Sequence, residues 1–344
     1  MGKKSQSKRA DPIGENVQLD AAVMSNLPPD CKVLSVMPSG QSLWVATVKI
    51  VVELTDGKTA EFFKKGASGE RGPAMMKGAF EAEQALYNFL PKHVPKPAAW
   101  GTYSSDPDTH FYLCEFVEMY DDLPSARSWA SAVSALHLNS MGCSPTSQFG
   151  FHVTTHLANV PVDNTWNASW EALWKQQMKS LFEQEQISHE PDEEIERLKI
   201  AYLDRAIPRY LGPLESEGRS IKPCLIHSDL WPGNIKPMTS SDELCMFDAC
   251  AYWGHNEADL AICRNPRYKL GPRFIREYLK RVPVSEPAAD FDARNAVYAI
   301  KYHTLLSILY VKDLRFRQVL KNELKALLDK MDAPPQVVGR DAHL

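Results

Sequence analysis

The sequence predicts an α+β molecule of two lobes, a small β-rich lobe with one main helix followed by a larger, mostly helical lobe. Strand-like runs crowd into the first third of the chain, and helical spacings of three and four dominate from about residue 124 onward. The 344 residues are ample for two cores at about 150 residues each. Hydrophobic residues at 44% and charged residues at 24% match ordinary globular usage, which excludes collagenous, disordered and membrane-spanning readings of the whole chain. Lys plus Arg is 39 against 43 Asp plus Glu, a net charge of -4, so neither a nucleic-acid polyanion nor an anionic membrane is implied as partner.

Residues 1–20 are polar and read as a disordered basic arm. They lack the apolar stretch of a signal peptide, and Gln6 stands where a myristoylation signal needs Ser or Thr. The first lobe is placed at 21–117. Its strands run between Lys32 and Lys65, with Thr55-Asp56-Gly57 as a hairpin turn, because Asp-Gly between β-rich runs favours the primed turns. A loop is expected at 66–73, then a helix from Lys77 to Leu90 stopped by Pro91, then a buried strand FYLCEFV at 111–117.

The second lobe is placed at 118–333. Helices are expected at 124–139 and 168–185. In the latter, Trp170, Leu173, Trp174, Met178, Leu181 and Phe182 form one face, so the tryptophans read as core. Seven acidic residues between Glu183 and Glu196 read as a solvated loop and helix start, and a helix follows from Asp192 to Leu211. Short strands carry CLIH (224–227) and LCMFD (244–248), and helices continue until Pro334-Pro335 release a tail, 334–344. The run Arg264–Arg281, with seven Lys or Arg and one Glu, reads as an exposed coat.

Seven cysteines without CxxC spacing or a nearby His cluster argue against a zinc site and for reduced thiols in a cytoplasmic compartment. The terminal Ala342-His343-Leu344 loosely matches a peroxisomal address, the alternative location.

The chemistry is concentrated in CLIHSDLWPGNIK (224–236) and MFDACAYWGHNEADLA (246–261). His227 and Asp229 leave a strand, Asn234 follows Asp229 by five positions, and Asp248 ends the next strand. H-x-D-x4-N followed by a strand-borne Asp is the kinase arrangement: a carboxylate takes the proton of the attacking hydroxyl, and oxygen donors hold the magnesium that bridges nucleotide phosphates. Asp229 is then the base, and Asn234 and Asp248 the metal ligands. The same reading asks for an upstream strand lysine and helix glutamate, met by Lys64 or Lys65 and by Glu81 or Glu83. There is no G-x-G-x-x-G, only Gly40, and Asp248 is followed by Ala249-Cys250 with no activation segment, so a protein kinase proper is not indicated.

DLWPGN with FDACAYWGHNEADLA resembles the fructosamine-3-kinase (ketosamine-3-kinase, protein-ribulosamine 3-kinase) family, which is related to the aminoglycoside phosphotransferases and has a two-lobed protein-kinase-like fold. FEAEQAL (80–86), VPKP (94–97), LHL (136–138) and FGFHVTTHLANVPVDNTWNASW (149–170) extend the resemblance over roughly residues 33 to 310. It implies ATP and Mg2+ as cofactors and transfer of the γ-phosphate to O3 of a ketosamine, on a small amine or a glycated protein lysine, leading to deglycation. It puts the ATP lysine on Lys64, its partner on Glu83, and the adenine-gripping hinge on Glu115, Phe116 and Val117. Lys65 is then solvated on the other strand face. It further implies that His227 braces the loop, Trp231 borders the sugar, Asn164 and Trp166 lie in a substrate-side segment, and Asp259 ties the GH-x-E-x-D-L segment to the helical lobe. His255 reads either as a structural hydrogen-bonder or as part of the site. Three departures stand out: Ser228 and Ala158 where the family has Gly, and Val162 where it has Gln. They keep open a kinase of another hydroxylated metabolite, aminoglycoside-like or secondary, and a non-catalytic nucleotide-binding relative.

Overall fold

The computed structural model describes residues 19–39 and 45–333. Most of the basic arm, Gly40 and the C-terminal tail with Ala342-His343-Leu344 lie outside the described residues.

A short helix α1 (Ala21–Met24), its Ala22 N–H capped by Asp20, precedes strands β1 (Lys32–Pro38), β2 (Ala46–Glu53) and β3 (Thr59–Ser68). Helix α2 (Gly72–Phe89) and strands β4 (Pro97–Thr102) and β5 (Thr109–Glu115) complete the first lobe. The five strands form one antiparallel sheet in the order β1-β2-β3-β5-β4. At the β2–β3 turn, Gly57 takes φ +80° and the Asp56 carboxylate accepts from the Lys58 N–H at 3.0 Å. Strand β3 runs three residues past Lys65, so the expected loop shrinks. Helix α2 begins at Gly72 rather than Lys77, because Pro73 fits the first helical turn, where no N–H is needed. The Pro-rich stretch that hid β4 from sequence reasoning sits on the sheet edge, where a missing N–H is tolerated.

The second lobe holds α3 (Ala126–Ser140), the hairpin β6 (Thr155–Leu157) and β7 (Val160–Val162), α4 (Trp170–Ser188), α5 (Glu193–Ala201) and α6 (Ile207–Leu211). Then come β8 (Cys224–Ile226), β9 (Ile235–Pro237), β10 (Leu244–Met246), β11 (Tyr252–Gly254), a 3-10 segment Asn256–Arg264, α7 (Pro272–Leu279), α8 (Phe291–Leu309) and α9 (Leu314–Asp332). A π turn, Tyr202–Ala206, interrupts the helix expected over 192–211, just ahead of Pro208, which has no N–H to give to residue 204.

The main core is built on α3, α4 and α8. Trp170 and Trp174 are buried in it, and each satisfies its indole N–H on a tyrosine: Trp170 on Tyr298 at 2.8 Å and Trp174 on Tyr202 at 2.9 Å. Glu185, expected in the solvated acidic run, is instead fully buried and accepts from Lys199 at 2.5 Å, Arg317 at 2.9 Å and Ser307 at 2.9 Å. Its position on the apolar face of α4 demands that pairing. The lobes meet where α2 crosses the β6–β7 hairpin. At Gly78 a Cβ would lie 2.4 Å from the Thr154 carbonyl, so only glycine permits the approach.

Candidate active site

Successive residues of β3 point to opposite faces of the sheet, and this separates the two lysines. Lys64 turns away from α2 and donates to the Tyr103 hydroxyl at 2.6 Å. Lys65 points to the α2 side and reaches Asp248 of the second lobe, Nζ to Oδ1 2.5 Å. Lys65, expected to be solvated, is buried at 8% exposure, and it is the lysine that reaches Asp248 across the cleft while Lys64 does not. Glu83, on α2, is buried. Its carboxylate accepts from the Tyr112 hydroxyl at 2.7 Å and from the Asp248 backbone N–H at 2.8 Å, with Lys65 close enough to attract it. Glu81 lies elsewhere, on the exposed His152 at 3.0 Å.

The β8–β9 and β10–β11 connections bring the acidic groups together. Asn234 Nδ2 donates to the Asp229 carboxylate at 2.9 Å and the Asp229 carbonyl at 3.0 Å, and lies 3.4 Å from the Asp248 carbonyl. Burial and the neighbouring Asp248 charge push the Asp229 carboxyl up to about 8, against an opposing pull from Lys301. Asp248 moves the other way, its carboxyl held low by the Lys65 ammonium. Gly233 lets the loop fold under Trp231, whose ring would lie 2.2 Å from a Cβ at that position. Trp231 is 40% exposed and meets Tyr268 with ring centroids 6.0 Å apart, so it stands at the rim beside Asp229.

His227 and Asp259 hold this loop. His227 Nδ1 accepts from the Asp229 N–H at 3.2 Å while Nε2 faces the Phe247 carbonyl at 3.1 Å, which assigns the proton to Nε2. Burial keeps that ring neutral, lowering its pKa. The Asp259 carboxylate accepts from the backbone N–H groups of His227 at 2.9 Å and Ser228 at 2.7 Å, and from the His137 ring at 3.1 Å. Burial works against its charge, but these donors hold the carboxyl below its usual value.

The remaining expected residues separate into two groups. Glu115, Phe116 and Val117 lie where the sheet ends and the chain crosses between lobes. There Glu115 N–H donates to the Lys96 carbonyl at 2.9 Å and Phe116 N–H to the Glu61 carbonyl at 3.0 Å. Asn164 is buried, donating to Thr155 at 2.5 Å and accepting from Gln177 at 2.8 Å, and Trp166 packs half-buried on the core. His255 bonds Tyr298 at 2.9 Å and Ser285 at 2.8 Å, and burial lowers it to about 4, a structural neutral histidine. Both non-glycine departures occupy the left-handed region, Ser228 at φ +65° and Ala158 at φ +54°. Ala158 lines a small cavity with Lys65, Met75, Met76, His156 and Asp248. Burial and the cations Arg71 and Lys65 hold His156 neutral, down to about 4. No motif flagged His156, because a lone His in a three-residue strand carries no spacing signal.

The side-chain oxygens that could face a metal in the cleft belong to two carboxylates and one amide, and the carboxylates are close enough for one to raise the other. That donor set fits a hard divalent cation. All seven cysteines are free thiols, with Cys114, Cys224, Cys245, Cys250 and Cys263 buried. Among the described residues no helix is long and apolar enough to cross a membrane.

The chain is similar to the protein-ribulosamine 3-kinase, chloroplastic, of Oryza sativa subsp. japonica, at 27% identity over 254 residues covering 72% of this chain. The match spans 66% of that relative's own length, just under two thirds. In three dimensions it is similar to a Thermobifida fusca crystal structure provisionally named a fructosamine-3-kinase, with TM-score 0.66, 22% identity, and coverage of 90% of this chain and 98% of that one. An aminoglycoside phosphotransferase, crystallised as a ternary complex with AMP-PNP and hygromycin B, follows at TM-score 0.59 and 13% identity, covering 88% and 96%. These structural likenesses establish the two-lobed kinase-like fold. The fructosamine kinase family model matches residues 38–329, and the chain belongs to that family.

Proposed function

We propose that this chain is an ATP-dependent ketosamine kinase that transfers the γ-phosphate to the O3 hydroxyl of a fructosamine or ribulosamine carried on an amine or protein lysine. Family membership and the names of the relatives support the reaction class. The observation that carries the reading is the arrangement at Asp248, a carboxylate of one lobe gripped at its side chain by Lys65 and at its backbone by Glu83 of the other.

Asp248 and Asn234 would hold Mg2+, which when bound neutralises charge on the nucleotide phosphates and so favours phosphoryl transfer. Lys65, released from Asp248, is positioned to pair the α- and β-phosphates, with Glu83 fixing the strand–helix spacing. Glu115 to Val117 grip the adenine. Asp229, in its ionised form, accepts the proton of the attacking hydroxyl, and Asn234 orients that carboxylate. Trp231 borders the acceptor sugar. The seven free thiols favour a reducing, cytoplasmic compartment.

The test is magnesium-dependent ATP turnover with fructose-lysine, ribulose-lysine and no acceptor, beside Asp229→Asn. Turnover requiring both a ketosamine and Asp229 is the expected result, with a loss of at least about 100-fold on the substitution. Tight Mg–ATP binding without ketosamine-dependent turnover would overturn the acceptor, and unchanged turnover in Asp229→Asn would overturn the base.

A further inference from the structure

Lys301, on α8, is a buried cation to which the proposed transfer chemistry assigns no contact with nucleotide or acceptor. It is 1% exposed, and among the described residues no carboxylate lies within ion-pair distance of its ammonium. Its hydrogen-bond partners are two neutral hydroxyls, Ser228 at 2.6 Å and Tyr252 at 3.2 Å, and it lies over the rings of Tyr252 at 4.8 Å and Trp174 at 5.8 Å. Sequestering an ammonium from water is costly unless its donors are met, so these contacts are strongly constrained.

The same helix grips Ser228 a second time, through the next residue: the Tyr302 hydroxyl donates to the Ser228 carbonyl at 3.3 Å. With the Ser228 N–H on Asp259 at 2.7 Å, every polar group of this residue is held. That matters because Ser228 has φ +65°, a conformation that costs an L-residue about 1–2 kcal/mol and that glycine adopts freely. The hydroxyl bonded to Lys301 offsets that strain, and the residue it fixes immediately precedes Asp229.

We infer that Lys301 is a positioning residue, and that Lys301 and Ser228 act as one coupled unit: the ammonium locks Ser228 in its left-handed conformation and thereby aims the Asp229 carboxylate at the acceptor hydroxyl. This rests on the assignment of Asp229 as base under the proposed function. The unit touches neither nucleotide nor acceptor, so its loss changes the rate of transfer rather than ATP binding.

The experiment is a double-mutant cycle of Lys301→Met and Ser228→Gly on the full chain, measuring kcat, KM for ATP and KM for the ketosamine, with Asp229→Asn in parallel. Lys301→Met removes the donor and leaves a strained serine, whereas Ser228→Gly relieves the strain and leaves the ammonium without its shorter bond. Each is expected to lower kcat about tenfold or more with KM for ATP within about threefold, and the double substitution is expected to recover to within about threefold of wild type. Losses that simply multiply, or a kcat unchanged in Lys301→Met, would overturn the inference. Should Lys301→Met not fold, Ser228→Ala replaces it: keeping the strain without the hydroxyl, it is expected to fall below Ser228→Gly, and equal kcat for Ser, Gly and Ala would overturn the coupling. If Asp229→Asn retains turnover, it is the base assignment that fails. If it loses turnover while the cycle is additive, only the role of Lys301 fails.

Discussion

Two adjacent lysines on β3 have opposite fates, and the difference is a property of single side chains. Lys65→Met would remove the cation that neutralises Asp248, whereas Lys64→Met would remove one hydrogen bond, to Tyr103. Turnover in Lys65→Met should fall at least about 100-fold, as expected when a phosphate-pairing cation is lost. Lys64→Met should retain turnover and lose only about 1 kcal/mol of stability, the net worth of one hydrogen bond. Kinetics and thermal unfolding of the pair check this, and a larger kinetic loss in Lys64→Met would return the role to Lys64. The motif spacing made Asp229, Asn234 and Asp248 legible as a set, because a fixed number of residues spans the loop. It left the lysine ambiguous, since two consecutive residues satisfy one spacing and only the strand's facing separates them. Lys301 was illegible for a different reason: it meets Ser228 across 73 positions of chain.

At the scale of elements, long periodic helices were readable, and of the three-residue strands only β8 and β10 were, through their continuous apolar runs. The α4 stripe from Trp170 to Phe182 was plain because an apolar face repeats over several turns. Strands β6, β7, β9 and β11 are three residues each, too short to show a period of two, and they exist only through pairing partners. The β6–β7 hairpin illustrates what such an element must bear. Its turn places Ala158 at φ +54°, over the cavity that holds Lys65 and Asp248. Ala158→Gly should relieve about 1–2 kcal/mol of left-handed strain and give back about 0.4–1 kcal/mol through a more flexible unfolded chain, a net gain of up to about 1.6 kcal/mol. Denaturant unfolding reads this directly. Destabilisation by Ala158→Gly would mean that the Ala158 methyl packs on the cavity wall strongly enough to outweigh the strain.

At the scale of the whole molecule, Asp248 joins the lobes across the cleft: its carboxylate receives Lys65 from the sheet and its backbone N–H donates to Glu83 of α2. In that state the Asp229 carboxyl sits at about 8, raised by burial and by Asp248. A folded-state value above the ordinary 3.8 means the native protein favours the protonated acid. The associated stability is complete below about 4, declines as pH rises, and is gone above about 8. Mg–ATP would bring a divalent cation to Asp248 and Asn234, beside Asp229, and favour its ionised form, so binding should release a proton. Affinity should then rise with pH by up to about tenfold per unit between about 6 and 8 and level off above, since one group changes state. Titration calorimetry in buffers of different ionisation enthalpy counts that proton. Asp229→Asn should bind Mg–ATP with only the pH dependence of the nucleotide itself, because an amide has no proton to lose in this range. Equal proton release from wild type and Asp229→Asn would show that Asp229 is already ionised in the open cleft, and that the lobes close on Mg–ATP without changing its charge.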